Sequence, residues 1–139
     1  MDTNVFISFW DNEYGRNITD FLEYYSKNAL DRVLSCKFHL IISDLTIKEL
    51  SEAIRPKKSR EEILTYFEPY EKLDKIRILV PDTTDWEEAR RLRNTTGLHL
   101  KDALHTVLAK KTKSTLVTWN LKDFQKAGKE VEVRSPKNL

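Results

Sequence analysis

Three short apolar runs, separated by helical patterns, constrain the fold of this 139-residue chain more than any other feature. They lie at residues 38–42, 76–80 and 115–119 and are rich in β-branched or aromatic side chains, as strands are. Apolar side chains in the segments between them recur at the spacing of amphipathic helices. This alternation predicts an α/β fold with a central, mostly parallel sheet of about five strands, flanked by helices on both faces.

Length and composition narrow the class of protein. The content of 40% hydrophobic and 33% charged residues is that of one folded domain covering residues 1–139. The net charge of +2 is only a weak hint of a polyanionic partner. A single cysteine, Cys36, excludes an internal disulfide and favours a cytoplasmic location. No apolar run approaches the roughly 18 residues of a membrane span, and with three glycines there is no glycine-rich phosphate loop.

The stretch from Lys101 to Phe124 combines a helix, a strand and a polar turn. Its predicted helix has one apolar face, formed by Leu100, Ala103, Leu104, Val107 and Leu108. Asp102 lies near the start of this helix but off that face. The strand at 115–119 is followed by Asn120 and Asp123. Side chains just past the carboxyl end of a parallel strand face the crevice where ligands bind.

Two further acids occupy comparable positions. Asp2 precedes the apolar residues Val5, Phe6 and Ile7, as at the end of a strand that turns into a helix. That strand is either very short or begins upstream, and the sequence leaves both alternatives open. Glu49 follows Thr46 by three residues, the spacing of a helix capping box, but it also lies where a helix leaves a strand and faces the same crevice.

Several carboxylates in one crevice repel each other unless a cation neutralises them. Oxygen ligands favour Mg²⁺ or Mn²⁺, and no His or Cys cluster has zinc spacing. His99 and His105 are six residues apart, so they do not share a helical face and a joint ligand role is not expected. Lysines that include Lys101 and Lys122 flank the predicted cleft and would guide a phosphate backbone. We therefore predict cleavage of a phosphodiester by metal-activated water.

Four motifs in order resemble the PIN-domain family, most closely the VapC-type toxin ribonucleases of toxin–antitoxin pairs. They are Asp2-Thr3-Asn4-Val5, Ser43-x-x-Thr46-x-x-Glu49-Leu50, Lys101-Asp102-Ala103-Leu104 and Thr118-Trp119-Asn120-x-x-Asp123-Phe124. The resemblance implies a cytoplasmic, Mg²⁺- or Mn²⁺-dependent endoribonuclease that forms a homodimer, binds RNA and is inhibited by an antitoxin protein.

The resemblance also implies the roles of individual residues. Asp2 and Asp102 are expected to be the main metal ligands, with Glu49 supporting the metal or its water. The fourth acidic position of the family falls on Asn120, an amide, and Asp123 is the acid that could substitute for it. The predicted catalytic residues are thus Asp2, Glu49, Asp102 and Asp123, and the predicted substrate contacts are Thr118, Asn120, Lys101 and Lys122.

Two other functions remain open on the sequence. A catalytically silent domain that binds RNA or a protein partner would account for the amide at Asn120. A housekeeping RNA-processing nuclease would use the same acids as a toxin. Trp119 is expected to pack at the strand end rather than to stack on a base.

Local signals predict several boundaries. We expect a helix at 17–36 capped by Asn17, a basic linker at 55–60, and a helix at 60–73 that Pro69 kinks or breaks. Thr84 or Asp85 is expected to cap the next helix, Gly97 to end it, and the tail at 135–139 to fray.

Overall fold

The computed structural model describes residues 1–10, 22–35, 37–54, 57–128 and 130–139. These residues form seven α-helices and four β-strands, in a mixed α/β arrangement as predicted. In chain order the elements are α1 (Thr3–Trp10), α2 (Leu22–Leu34), β1 (Leu40–Ser43), α3 (Asp44–Ala53), α4 (Arg60–Lys72), β2 (Ile76–Leu79), α5 (Thr83–Thr96), α6 (Leu100–Lys111), β3 (Leu116–Val117), α7 (Leu121–Phe124) and β4 (Val133–Arg134). Short 3₁₀ turns follow α7 and β4.

The strands pair in parallel but do not form one sheet. Within the described residues β1 pairs with β2, and β3 pairs with β4, as two separate two-stranded sheets. The prediction of a sheet of about five strands is therefore wrong. Between the two pairs, Met1 and Asp2 are the only described residues that bond to both, to Ile41 of β1 and Val117 of β3 respectively. Two residues are too few to build a ladder that joins the pairs.

The core lies on both sides of these strands. One cluster packs Ile42 of β1 and Ile76 of β2 against Phe6 of α1 and Phe67 of α4. A second cluster joins α5 and α6 through buried side chains that include Ala89 and Leu104. Burial of this apolar surface supplies the main driving force for folding. It holds α6, whose residues 103–109 are all buried, beside β3.

Helix ends differ from several of the local predictions. Ser43, rather than Thr46, caps α3, because its hydroxyl accepts from the amide of Thr46. The capping box predicted for Glu49 is therefore wrong, and Glu49 lies within the helix. Asp82 caps α5 in a capping box with Asp85, so the predicted cap at Thr84 or Asp85 lies too far along the chain. Gly97 ends α5 in the left-handed region, as predicted.

Two predicted irregularities do not occur. Helix α4 continues past Pro69 to Lys72, so the predicted break is wrong; Pro69 comes so late that only one further turn depends on it. The tail is held rather than frayed, since Ser135 and Pro136 are both buried. The predicted cap at Asn17, and Arg55 and Pro56 of the basic linker, lie outside the described residues. No helix in the described ranges is long and apolar enough to cross a membrane.

Candidate active site

Four chain segments bring polar side chains to one edge of the strands. Strand β1 ends at Ser43 and leads into α3, which carries Glu49. Strand β3 ends at Val117 and leads to Thr118. Asp2 lies between these two strand ends, where its amide donates to the carbonyl of Val117 at 2.8 Å. The first turn of α6 adds Asp102. Asp2 and Thr118 thus lie beside the carboxyl ends of β1 and β3, the edge at which α/β folds bind ligands.

The Asp2 carboxylate is held in place by two neutral donors. The Thr118 hydroxyl donates to its Oδ2 at 2.7 Å, and the side-chain amide of Asn4 donates to the same oxygen at 2.9 Å. Asn4 also donates to Thr118, at 3.0 Å. Thr118 is completely buried, so its contacts are with Asp2 and Asn4 rather than with the surface. Both bonds end on Oδ2, so they fix the orientation of the carboxylate while Oδ1 receives neither of them.

Glu49 is held by a hydroxyl and an ammonium group. The Thr3 hydroxyl donates to its Oε2, and the Lys101 ammonium lies 3.0 Å from its Oε1. Burial alone would raise the pKa of Glu49, but His105, Thr3 and Lys101 outweigh it and lower the pKa to about 2. Glu49 is therefore ionised throughout the physiological range. The same contact raises the pKa of Lys101.

His105 is a site residue that the sequence prediction missed. Its Nε2 lies 3.8 Å from Asp2 Oδ1 and 4.0 Å from Glu49 Oε2, outside hydrogen-bond distance of both. The ring is 5% exposed, and Nε2 has no hydrogen-bond partner in the described part of the chain. The sequence did contain a signal for His105: it is three residues from Asp102, so the two side chains share a helical face. The prediction concerned only the pair of His105 with His99, which is six residues away.

Asp102 lies in the first turn of α6, and its pKa is raised. Burial raises its pKa, and the nearby negative charge of Asp2 raises it further; Asp123 contributes in the same direction. The negative charges of Asp2 and Asp123 thus act on Asp102, while His105 and His99 act in the opposite direction. A cation placed among them would reverse this effect.

Asn120 and Asp123 act as a pair. The Asn120 side-chain amide donates to Asp123 Oδ2 at 2.7 Å, and the Lys126 ammonium lies 3.4 Å from Oδ1. The Asn120 bond first, and the Lys126 contact second, lower the pKa of Asp123. The two residues that competed for the fourth acidic position are thus bonded to each other, and Asn120 orients the carboxylate of Asp123.

The two lysines that were predicted to contact the substrate lie at the protein surface. Lys101 and Lys122 are both exposed, and Lys101 reaches inward to Glu49. Trp119 packs at the strand end as expected. Its indole N–H donates to the hydroxyls of Ser8 and Ser26, each at 3.0 Å, and its ring meets Tyr25 edge-on.

The donor atoms suit a hard divalent cation, but they are not arranged as a finished metal site. No three His, Cys, Asp or Glu side chains among the described residues are grouped closely enough to hold an ion as they stand. The chemistry nevertheless fits: Asp2 Oδ1 is free of the bonds that hold Oδ2, Asp102 carries uncompensated charge, and His105 Nε2 is buried without a partner. These are the donor atoms that a divalent cation would meet beside the strand ends.

The chain folds as a small α/β domain with acidic side chains near the carboxyl ends of its parallel strands. The sequence pattern of the PIN domain matches residues 1–130, so the chain belongs to the PIN domain family. No curated protein matches the chain.

Proposed function

We propose that this protein is a metal-dependent endoribonuclease whose active site is the cluster of Asp2, Glu49, Asp102 and Asp123. The observation that carries the proposal is the approach of two of these acids, Asp2 and Glu49, to the buried imidazole of His105. His105 lies within 4.0 Å of both Asp2 and Glu49. Burial and neighbouring carboxylates raise the pKa of Asp102, a state that a cation would relieve. PIN domains are generally nucleases that use divalent metals, which agrees with this chemistry.

Each side chain has a distinct part in the proposed reaction. Asp2, with Oδ2 fixed by Thr118 and Asn4, presents Oδ1 to the cleft in one orientation. Asn120 orients Asp123 in the same way. Glu49, ionised at neutral pH, holds Lys101 at the rim, where the ammonium group meets the substrate phosphate. A bound divalent cation would offset the phosphate charge and activate a water molecule.

The proposal is tested by cleavage of a single-stranded RNA in Mn²⁺ or Mg²⁺, with a chelator as the blank. We expect Asp102→Asn to lose at least about a hundredfold in rate, because the charge that would bind the cation is removed. Asp31→Asn is the matched control, since Asp31 lies exposed on α2. Equal rates for wild type and Asp102→Asn would contradict the proposal.

Product ends test the nature of the nucleophile. Attack by water on phosphorus leaves a 5′-phosphate and a 3′-hydroxyl. Attack by the RNA's own 2′-hydroxyl leaves a 2′,3′-cyclic phosphate. We expect the first pair of ends, and cyclic ends would contradict hydrolysis by water even if cleavage depended on metal.

We further propose a VapC-type toxin role, with a homodimer and an antitoxin partner; this rests on the resemblance of the four motifs. Expression of the wild-type chain is then expected to arrest growth of a bacterial host, whereas Asp102→Asn is tolerated at equal abundance. A housekeeping nuclease would be tolerated in both forms.

One observation favours a silent binding domain instead. Glu49 and Asp123 are already neutralised, by Lys101 and Lys126, and the acids are not grouped for metal as they stand. A domain of this kind would bind RNA equally well with and without divalent ions. It would also show no heat of Mn²⁺ binding by calorimetry.

A further inference from the structure

His105 has a buried nitrogen that the fold leaves without a hydrogen bond. The residue is 5% exposed, and its Nε2 lies 3.8 Å from Asp2 Oδ1 and 4.0 Å from Glu49 Oε2. Both distances are too long for a hydrogen bond. In the described part of the chain one other buried side-chain atom lacks such a bond, Asp44 Oδ1, and that atom is ion-paired with Arg60. A buried polar atom in the state of His105 Nε2 points to a ligand.

The two distances from Nε2 are those of donors that share one metal ion. An imidazole nitrogen or a carboxylate oxygen lies about 2.0–2.2 Å from a bound divalent first-row metal. Two donors of one ion are then about 3 Å apart when they lie at right angles, and about 4.2 Å apart when they lie opposite each other. The separations of 3.8 and 4.0 Å fall inside this range. They are too wide for direct bonds and wide enough for an ion between the groups.

Both acids turn an oxygen towards His105 because their surroundings hold them in that orientation. Thr118 and Asn4 both donate to Asp2 Oδ2, so the oxygen at 3.8 Å from Nε2 is the one that receives neither bond. Glu49 bonds Lys101 through Oε1 and presents Oε2 to His105. The donors on this side of the ring are therefore oriented before any ion binds.

Helix α6 places Asp102 beside His105 on one face. The two residues are three positions apart, so their side chains are neighbours on the helix surface. Helices of metal-binding bundles present a carboxylate and a histidine to one ion at this same spacing. As they stand, no three His, Cys, Asp or Glu side chains of the described residues are grouped closely enough to hold an ion. Binding would therefore draw these side chains closer together.

We propose that His105 Nε2 is a nitrogen ligand of the divalent cation in the proposed active site, which therefore prefers a first-row transition metal to Mg²⁺. The inference rests on the proposed function. An imidazole nitrogen is a good ligand for transition metals, whereas Mg²⁺ favours oxygen donors. The neutral ring binds through Nε2 when its hydrogen is on Nδ1. His105 thus adds to the acids a donor that separates one class of metal from the other.

The test is electron paramagnetic resonance of Mn²⁺ bound to the untagged full chain, prepared with ordinary and with ¹⁵N-labelled histidine. A coordinated histidine nitrogen modulates the electron spin echo of Mn²⁺, and the label changes that modulation. We expect the signal in wild type and its loss in His105→Gln. Calorimetry should show at least about tenfold weaker Mn²⁺ binding by this variant and nearly unchanged Mg²⁺ binding.

The matched control is the double variant His39→Gln, His99→Gln. It replaces the other two of the three histidines, both of which are exposed. We expect it to keep the nitrogen signal and the Mn²⁺ affinity of wild type. Because His105 is then the one histidine left in the chain, this arm assigns the nitrogen even if His105→Gln does not fold.

Three results would overturn the nitrogen ligand. Bound Mn²⁺ without a histidine signal would do so and would leave the proposed function standing. A signal lost in the double variant would assign the nitrogen to His39 or His99. Equal losses of Mn²⁺ and Mg²⁺ affinity in folded His105→Gln would contradict the preference between metals. Absence of Mn²⁺ binding by wild type would overturn the nitrogen ligand and the proposed function together.

Discussion

At the scale of single residues, the site is shaped by neutral donors as much as by acids. Thr3, Asn4 and Thr118 orient Glu49 and Asp2 and carry no charge themselves. The sequence indicated the acids as candidate site residues, because several carboxylates near strand ends are unusual. It did not indicate that Thr118 is a buried support for Asp2, or that His105 faces two acids, since both depend on which side of an element meets which neighbour.

Glu49 makes stability depend on pH. Its folded pKa of about 2 lies below the ordinary 4.5, so its contribution is complete above about pH 4.5 and is lost as the pH falls towards 2. We expect Glu49→Gln to lose on the order of 3 kcal/mol of unfolding free energy at pH 7 and much less at pH 3. Urea denaturation at both pH values measures this difference. Glu87→Gln, exposed on α5, is the control, and an equal loss at both pH values would contradict the assignment.

Thr118 supports the Asp2 carboxylate. Thr118→Val keeps the shape of the side chain but removes the donor at 2.7 Å from Oδ2. We expect a loss of about 1–3 kcal/mol in stability, because a buried carboxylate oxygen loses a partner. Thr115→Val is the matched control, since its hydroxyl also bonds a carboxylate, that of Glu132, but at the surface. Equal unfolding free energies for the two variants in urea would exclude the supporting role.

At the scale of elements, sequence signals located most helices and strands but placed their ends imperfectly. The run at 38–42 becomes Leu40–Ser43, and the run at 115–119 becomes only Leu116–Val117. The cap of α3 was misplaced because Ser43 and Thr46 both have capping side chains. Which one is used depends on where the preceding strand stops, and that is set by pairing with β2 rather than by local sequence.

Gly97 is the end signal that the sequence identified correctly. Its φ of 74° lies in the left-handed region, and a Cβ there would meet nothing within 4 Å. The cost of Gly97→Ala is therefore one of backbone conformation alone, and we expect about 1 kcal/mol, or a fall of about 4 °C in midpoint. Calorimetry checks this value. An unchanged midpoint would show that α5 does not need the left-handed end.

At the scale of the whole molecule, the alternation of strands and helices correctly indicated a parallel α/β domain. It did not reveal that, in the part of the chain that the structure describes, Met1 and Asp2 alone lie between β1 and β3, so that the strands remain in two pairs. The sequence signal for this difference was the uncertain length of the strand that ends at Asp2. The acids still converge, because Asp2 bonds to β3 and Met1 to β1 even without a full strand between them.

We propose that the acids near Asp2 bind a divalent cation. The most direct measurement is calorimetric titration of the protein with Mn²⁺, for wild type, Asp102→Asn and Asp31→Asn. We predict that wild type and Asp31→Asn bind the ion and that Asp102→Asn loses at least about tenfold in affinity, since one charged ligand becomes neutral. Binding of equal strength by wild type and Asp102→Asn, or no binding by any of the three, would contradict the account.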